Sequence, residues 1–133
     1  MKVLFICVEN SCRSQIAEGF ARRLGLNAES AGVRAGSGVN PDALKVMAEI
    51  GIDISMQYSK AIDHRKLPTY DAVLSMCSVK TVDFCPSTFI GTQANWNIED
   101  PKGQTLDVFR RVRDEIKAKV EELAKTKVAK IAK

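Results

Sequence analysis

A thiol and a guanidinium stand close together near the start of the chain, in the segment Cys7-Val8-Glu9-Asn10-Ser11-Cys12-Arg13. The apolar run Val3–Val8 includes Cys7, and Arg13 precedes apolar residues at every fourth position, Ile16, Phe20 and Leu24. This pattern predicts a buried strand, a short loop and an amphipathic helix. A cysteine and an arginine at the two ends of such a loop are suited to binding an oxyanion and attacking it.

The loop between the predicted strand and helix indicates an anion site. Its backbone N–H groups can point inward and act together with the N-terminus of the helix. Arg13 can hold two oxygens of a tetrahedral oxyanion. The positive potential favours the nucleophilic thiolate of Cys7, to which Ser14 can donate a hydrogen bond. We therefore predict that the substrate is bound by Val8, Glu9, Asn10, Ser11, Cys12, Arg13 and Ser14.

Four cysteines, at positions 7, 12, 77 and 85, bear on the chemistry. Disulfides are rare in a reducing compartment. There is no Cys-x2-Cys pair, and the one histidine, His64, is remote in sequence, so no metal site is expected. Redox chemistry is the more economical interpretation. The alternative for Cys7, Cys77 and Cys85 is a small core residue, although Cys85 precedes Pro86 in a polar loop, which favours an accessible thiol.

Length and composition predict a single domain over residues 1–133. With a net charge of +4 and only 6% aromatic residues, the chain lacks the basic and aromatic surface typical of nucleic-acid binding. No apolar run reaches the roughly 18 residues of a membrane span, and the short apolar start does not resemble a signal peptide. We therefore expect a cytoplasmic monomer with no nucleic acid or membrane partner.

Strand and helix patterns alternate along the rest of the chain. Strands are predicted at 3–8, 28–31, 70–77 and 92–96, and a loop or short helix at 78–86. Helices are predicted at 14–24, from Asn40-Pro41 to Gly51, and from about Thr105, with the apolar face Phe109, Val112, Ile116, Val120 and Leu123. Glu18 and Arg22 are predicted to pair on the exposed face of the first helix.

This alternation predicts an α/β fold with right-handed crossovers and a mainly parallel sheet. In such a sheet, ligands bind beyond the carboxyl ends of the strands. Cys7, Cys77 and Asp100 each lie at or just after the end of a predicted strand. We therefore expect these three side chains at one edge of the sheet.

The segment Cys7–Ser14, the following Gln15–Gly19 and the late Glu99-Asp100-Pro101 resemble the low-molecular-weight protein tyrosine phosphatase superfamily. Within it, the chain is most similar to the thioredoxin-coupled arsenate reductases, and the resemblance runs over nearly the whole sequence. The pair Cys77 and Cys85 separates the reductases from the phosphatases. The phosphatases also tend to carry tyrosines just after the Asp-Pro pair, where this chain has Lys102-Gly103.

The resemblance implies a three-layer, doubly wound fold with a four-stranded parallel sheet and helices on both faces. It also implies a mechanism in which Cys7 attacks arsenic, Asp100 is the general acid and Arg13 stabilises charge. Cys77 would then displace arsenite from Cys7, and Cys85 would move the disulfide to Cys77–Cys85, which thioredoxin reduces. In this mechanism Cys12 shapes the loop.

The sequence departs from the family pattern at two places, the spacing of Cys77 and Cys85 and the residue at position 60. Seven residues separate Cys77 from Cys85, whereas the family usually has six, which leaves the identity of the reductant open. Some relatives bind potassium near the loop through the positions of Asn10, Glu18, Ser30 and a downstream aspartate. Lys60 occupies the downstream position here, and an ammonium repels a cation. We predict that Lys60 itself supplies the positive charge and that no cofactor is tightly bound.

Two other functions use the same loop. A phosphatase would need only Cys7, Arg13 and Asp100, and would finish the reaction with water. A non-catalytic oxyanion-binding or phosphocarrier module would need neither Asp100 nor the later cysteines. The presence of Cys77 and Cys85 favours the arsenate reductase, with weak phosphatase activity alongside it.

Overall fold

The structure is a computed structural model that describes residues 1–77, 81, 85, 89 and 91–132, with side chains described as far as Thr126. Its strands are β1 (Lys2–Cys7), β2 (Asn27–Gly32), β3 (Ala72–Ser75) and β4 (Thr92–Asn95). Its α-helices are α1 (Arg13–Arg23), α2 (Pro41–Ala48) and α3 (Leu106–Ala132), and a short 3-10 helix covers Leu67–Thr69.

The four strands form one parallel sheet in the order β2-β1-β3-β4. β1 is central, and each of its residues from Val3 to Cys7 is buried. The chain leaves β1 toward β2 on one side and later returns to build β3 and β4 on the other. The strand order therefore reverses between β1 and β3, which is where a doubly wound sheet binds its ligands. The predicted fold class is confirmed.

The two faces of the sheet are covered differently. Val3 and Phe5 pack in a core with the apolar faces of α1, α2 and α3, namely Ile16 and Phe20 of α1, Val46 and Met47 of α2, and Phe109, Val112, Ile116 and Val120 of α3. Leu4 and Ile6 point to the opposite face. There, among the described residues, Leu67 of the 3-10 helix, Tyr70 and Val73 are buried against them.

The helix boundaries follow local signals that the sequence contains. Gly25, with φ of 84°, follows the C-cap Leu24 of α1 and adopts the left-handed conformation that glycine favours. Asn40 caps α2 by accepting a hydrogen bond from Asp42 N at 2.8 Å. α2 ends at Ala48, earlier than predicted, because the chain tightens into i−3 turns in which Gly51 N bonds to Ala48 O.

The later elements are shorter or longer than the pattern predicted. β3 ends at Ser75 rather than at Cys77, so the cysteine lies two residues beyond the strand. The predicted loop or short helix at 78–86 lies outside the described residues except for Thr81 and Cys85, where Cys85 N donates to Thr81 O at 2.9 Å. α3 continues to Ala132. In the described part of the chain, no helix is long and apolar enough to span a bilayer.

Candidate active site

The loop after β1 is held in place by hydrogen bonds that its carbonyl oxygens accept from residues 34–40. Arg34 N donates to Val8 O at 3.1 Å, Gly36 N to Glu9 O at 3.0 Å, and Asn40 N to Ser11 O at 2.9 Å. In a trans peptide unit, the N–H and C=O bonds point in nearly opposite directions. Because these carbonyls face outward, the adjoining amides face the inner side of the loop, beside the N-terminus of α1. This is the arrangement that binds anions.

A small cavity of about 30 Å³ opens on this inner side. It has room for about two water-sized groups, so it suits a small ligand. We call it the oxyanion cup. It is lined by Cys7, Val8, Glu9, Ser11, Cys12, Arg13, Asp100 and Lys102. The structure thus brings Cys7, Arg13 and Asp100 together, although 93 positions separate the first from the last.

The Cys7 sulfur is at the end of a buried hydrogen-bond chain. Asn10 Nδ2 donates to Ser14 Oγ at 2.8 Å, and Ser14 Oγ lies 2.8 Å from Cys7 Sγ. Because the serine oxygen accepts from Asn10, its single proton is available for the cysteine sulfur. Asn10 has φ of 53°, a conformation that asparagine tolerates better than most residues, and is fully buried. Asn10 and Ser14 therefore support the cup from behind and do not line it.

The Arg13 guanidinium joins three segments at the carboxyl edge of the sheet. Its Nη1 donates to Met76 O at 2.8 Å and to Ile98 O at 2.9 Å, just beyond β3 and β4. Its Nη2 lies 3.8 Å from Asp100 Oδ2. Since both protons of Nη1 are used, the predicted two-point contact with an oxyanion must come from Nη2 and Nε. The arginine is 8% exposed, so its orientation is fixed by these contacts.

Asp100 lies on the loop between β4 and α3. Lys102 N donates to Asp100 Oδ1 at 3.0 Å, which leaves Oδ2 on the side of Arg13. The aspartate side chain is 54% exposed, so it can exchange protons with water as well as reach the cup. A half-exposed carboxyl group that lines an anion site together with a thiol is suited to the role of a proton donor.

Cys12 lines the same cup and is as buried as Cys7, which is 3% exposed. Cys12 is 4% exposed, and burial raises the pKa of its thiol to about 11, although a hydrogen bond from the Ser11 side chain partly opposes this shift. Cys12 is therefore a neutral thiol near pH 7. Its packing among Ile16, Met47 and Met76 in the main core agrees with a role in shaping the loop.

The two later cysteines lie outside the cup. Cys77 is half-buried and follows Met76, whose carbonyl binds Arg13, and its sulfur lies 3.6 Å from Ser75 Oγ. Cys85 is also half-buried, but it packs against the cluster of Leu4, Ile6 and Val73 on the face of the sheet opposite α1, α2 and α3. This partial burial raises the pKa of the Cys85 thiol.

Behind the loop lies a polar cluster around Glu18, which is 3% exposed. Glu18 accepts a hydrogen bond from Ser30, pairs with Arg22 at 3.0 Å, and lies 3.9 Å from Lys60 Nζ. The predicted Glu18–Arg22 pair forms, but the carboxylate is not on the exposed face, because Ser30 and Lys60 surround it. Lys60 also binds the active loop through its backbone, donating from N to Asn10 Oδ1 at 3.0 Å. Burial lowers the pKa of Lys60, and the Glu18 carboxylate partly offsets this.

The sequence analysis missed Gln15 as a support of the loop. This side chain is fully buried and donates from Nε2 to Asn10 O and to Tyr58 O, both at 2.9 Å. Gln57 Nε2 in turn donates to Gln15 Oε1 at 2.8 Å. The available signal was a polar residue directly beside Ile16 at the start of an apolar helix face. A second missed residue is Gly32, whose Cα approaches the loop backbone.

Comparisons with known proteins agree with this geometry. The sequence profile of the family described as low molecular weight phosphotyrosine protein phosphatase matches residues 2–133. The "Glutaredoxin arsenate reductase" of Synechocystis sp. is 43% identical, with 98% of each chain covered. "Arsenate reductase 1" of Bacillus cereus is 44% identical over 93% of this chain and 94% of its own. A solved structure titled "An arsenate reductase in the phosphate binding state" superposes with a TM-score of 0.83 at 42% identity, covering 94% of this chain and 97% of its own.

Gly32→Ala tests how closely the loop is held. A Cβ at this position would lie 2.5 Å from Arg34 O, 2.8 Å from Val8 O and 2.9 Å from Asn10 N, all backbone atoms. We expect a loss of about 1–3 kcal/mol in the free energy of unfolding. Affinity for inorganic phosphate should fall about tenfold or more, because displaced amides no longer point at the anion. Urea denaturation and phosphate titration measure the two effects.

Gly19→Ala is the matched control. Its Cβ would meet side chains only, at 2.7 Å from Ile54 Cγ2 and 3.1 Å from Met47 Cε. It should lose comparable stability and keep its phosphate affinity within about twofold, since no loop atom is displaced. Equal loss of phosphate affinity in both variants would show that Gly32 has no special relation to the loop.

Proposed function

The chain belongs to the low molecular weight phosphotyrosine protein phosphatase family, and we propose that it is an arsenate reductase, which converts arsenate to arsenite. The observation that supports this most is the oxyanion cup, where Cys7, Arg13 and Asp100 line a space suited to a small anion. The half-buried Cys77 follows the very residue whose carbonyl binds Arg13. The names of relatives that are 43% and 44% identical agree with this activity.

The first step joins Cys7 to arsenic. Arsenate is a tetrahedral oxyanion, and its oxygens would accept hydrogen bonds from the loop amides and from Nη2 and Nε of Arg13. The Cys7 thiolate, which accepts a hydrogen bond from Ser14, attacks arsenic and forms a sulfur–arsenic bond. Asp100 gives its proton to the departing oxygen, which leaves as water. Arsenic is still in its pentavalent state after this step.

The second step reduces arsenic. The Cys77 thiolate attacks the Cys7 sulfur, a Cys7–Cys77 disulfide forms, and the electron pair of the sulfur–arsenic bond passes to arsenic, which leaves as arsenite. The two electrons thus come from two thiols. Cys85 then attacks Cys77, which frees Cys7 and moves the disulfide to Cys77–Cys85. Partial burial against the cluster of Leu4, Ile6 and Val73 raises the pKa of the Cys85 thiol, so we expect this exchange to be faster when Cys85 is released from the cluster.

An external dithiol must return the Cys77–Cys85 disulfide to its thiols. We propose thioredoxin, whose own pair of thiols is suited to reducing a protein disulfide. The name of the Synechocystis relative makes glutaredoxin the second candidate donor. We also propose a cytoplasmic location, because a reducing compartment would keep thiols such as Cys7, Cys77 and Cys85 available between turnovers.

We further propose that the Lys60 ammonium takes the place of a bound cation behind the loop. Its Nζ lies 3.9 Å from Glu18 Oε1 and donates to Tyr58 O at 3.2 Å, so a carboxylate and a carbonyl already surround it. The backbone of the same residue holds Asn10, and through Asn10 the Ser14 hydroxyl. A tethered cation at this point orders the loop without an added ion, since a second cation would be repelled.

Phosphoester hydrolysis is the second candidate function. The family is named for it, and the residues it needs, Cys7, Arg13 and Asp100, all line the cup. A phosphorylated Cys7 would be resolved by water, without Cys77 or Cys85. Weak hydrolysis of aryl phosphates is therefore expected beside arsenate reduction.

Cys77→Ser separates the two functions. In the presence of thioredoxin and thioredoxin reductase, the rate of arsenate-dependent NADPH oxidation by this variant should fall at least about a hundredfold, because no thiol remains at position 77 to displace arsenite. Hydrolysis of p-nitrophenyl phosphate should stay within about twofold of wild type.

Two further variants test the other thiols. Cys85→Ser should release about one arsenite per protein and then stop with a Cys7–Cys77 disulfide. Cys7→Ser should lose both activities. Absence of arsenate turnover by the wild-type protein with every thiol donor would refute the proposed function.

Asp100→Asn tests the proton donor. The amide keeps the shape of the side chain and can still accept from Lys102 N, but it has no proton to give to the leaving oxygen. Turnover should fall about 10²- to 10⁴-fold while inorganic phosphate binds within about twofold of wild type. The neighbouring Glu99→Gln is the control, because Glu99 pairs with Arg111 and does not line the cup. Similar turnover in the two variants would remove Asp100 from the mechanism.

Exchange of potassium for sodium tests Lys60. At fixed ionic strength, the rate of arsenate reduction should differ by less than about twofold between the two salts, because the ammonium already occupies the site. Lys60→Ala should be slower, and potassium should restore its rate more than sodium does. Clear activation of the wild-type protein by potassium alone would contradict the proposal.

A further inference from the structure

An ion pair joins two loops that line the oxyanion cup. Lys102 Nζ lies 3.2 Å from Glu9 Oε1, and the two side chains belong to the loop after β1 and the loop after β4. Both residues line the cup together with Cys7, Arg13 and Asp100. A carboxylate on the wall of an anion site is unfavourable by itself, since it repels the ligand. The lysine neutralises it, and the pair connects the loop after β1 to the loop after β4.

The same ion pair also borders a second, larger cavity. This neighbouring pocket has a volume of about 270 Å³, against about 30 Å³ for the cup. Glu9, Ser11 and Lys102 line both spaces, and the pocket is completed by Ser37, Gly38, Val39, Asn40 and Pro41. The ion pair is therefore a partition between the cup and a pocket large enough for an organic group.

We propose that the Glu9–Lys102 ion pair makes this site select inorganic oxyanions over their organic esters. The inference rests on the proposed function only in that the cup must bind a tetrahedral oxyanion. In this proposal, a free oxyanion has no substituent beyond its own oxygens and occupies the cup while the pair stays closed. An ester carries an organic substituent on one oxygen, which must leave the cup through its mouth toward the neighbouring pocket. The ester therefore binds only after the pair has opened, and its affinity is reduced by that opening.

The size of the effect follows from the exposure of the pair. Lys102 and Glu9 have side chains that are 56% and 36% exposed, so water competes with their attraction. Exposed ion pairs of this kind are weak, and their opening lowers an affinity by up to about fivefold. The ion pair thus reduces the binding of esters without preventing it, which agrees with the weak ester hydrolysis that we expect.

A simpler role for Lys102 makes a different prediction. If the lysine only supplied a second positive charge to the substrate, its loss would weaken the binding of phosphate and of a phosphonate, which mimics an ester, by similar factors. The ratio of their dissociation constants would then stay constant. The partition hinders the binding of the ester analogue alone, so opening it lowers the dissociation constant of the analogue relative to that of phosphate. Glu9 separates the two roles further, because its removal frees the lysine charge and opens the partition at the same time.

The test measures binding of inorganic phosphate and benzylphosphonate to the full-length protein. Each ligand protects Cys7 from alkylation by iodoacetamide, which fragment mass spectrometry can follow separately from Cys12. The dissociation constant of benzylphosphonate divided by that of phosphate should fall about three- to fivefold in Lys102→Ala and in Glu9→Ala. In the wild-type protein, the same ratio should fall as sodium chloride is raised, because salt screens the exposed pair.

Arg111→Ala is the matched control. Arg111 of α3 and Glu99 of the loop after β4 form an exposed ion pair, with side chains that are 57% and 42% exposed, but neither residue lines the cup. Its ratio should equal that of wild type. An unchanged ratio in both Lys102→Ala and Glu9→Ala would overturn the inference, and so would an equal change in Arg111→Ala. Arsenate turnover of the wild-type protein is measured in parallel. Its absence would refute the reductase and leave the test of the partition valid, since ligand protection does not depend on turnover.

Discussion

The buried contact of the Arg13 guanidinium with the carbonyls of Met76 and Ile98 is the interaction on which the site depends. β3 and β4 are only four residues long, and each ends before its site residues begin. A charged donor bonded to two carbonyl oxygens offsets part of the cost of burying the cation. The same bonds hold the residue before Cys77 and the loop with Asp100 against Arg13, at the end of the loop that begins at Cys7. One side chain therefore joins three loops that come from distant parts of the sequence.

The active loop illustrates a second constraint, which is that its amides must face inward before any ligand arrives. Outward bonds from residues 33–40 hold its carbonyls, and the chain from Asn10 through Ser14 reaches the Cys7 sulfur. Gln15 holds the Asn10 carbonyl from below. Such a loop pays little reorganisation energy when charge develops on the substrate, which is the main source of electrostatic catalysis. The left-handed φ of Asn10 is part of the cost.

The parts that were predictable from sequence are those with a local signal. Hydrophobic periodicity, the Asn40-Pro41 cap and Gly25 located the helices, and the rule for parallel sheets placed Cys7 and Asp100 at one edge. The contact of Lys102 with Glu9 spans 93 residues and has no local signal. Pairs of this kind, like the burial of Glu18 between Ser30 and Lys60, arise only when distant segments pack, and a pattern along one segment does not contain them. For the same reason the sequence did not show that Cys85 packs on the opposite face of the sheet from α1, α2 and α3.

The surroundings of the cysteines explain why the proposed reaction proceeds through Cys77 rather than through Cys12. Cys12 lines the cup and is the cysteine nearest to Cys7 in sequence, so position alone would make it the first thiol to attack an arsenic adduct. Burial raises the pKa of Cys12 to about 11, which leaves about one thiolate in ten thousand molecules at pH 7. Since the thiolate is the attacking species, this burial suppresses a dead-end disulfide within the loop. Cys77 is only half-buried, and it is attached to a carbonyl that Arg13 already holds, so the fold favours the thiol that leads out of the cup and toward an external reductant.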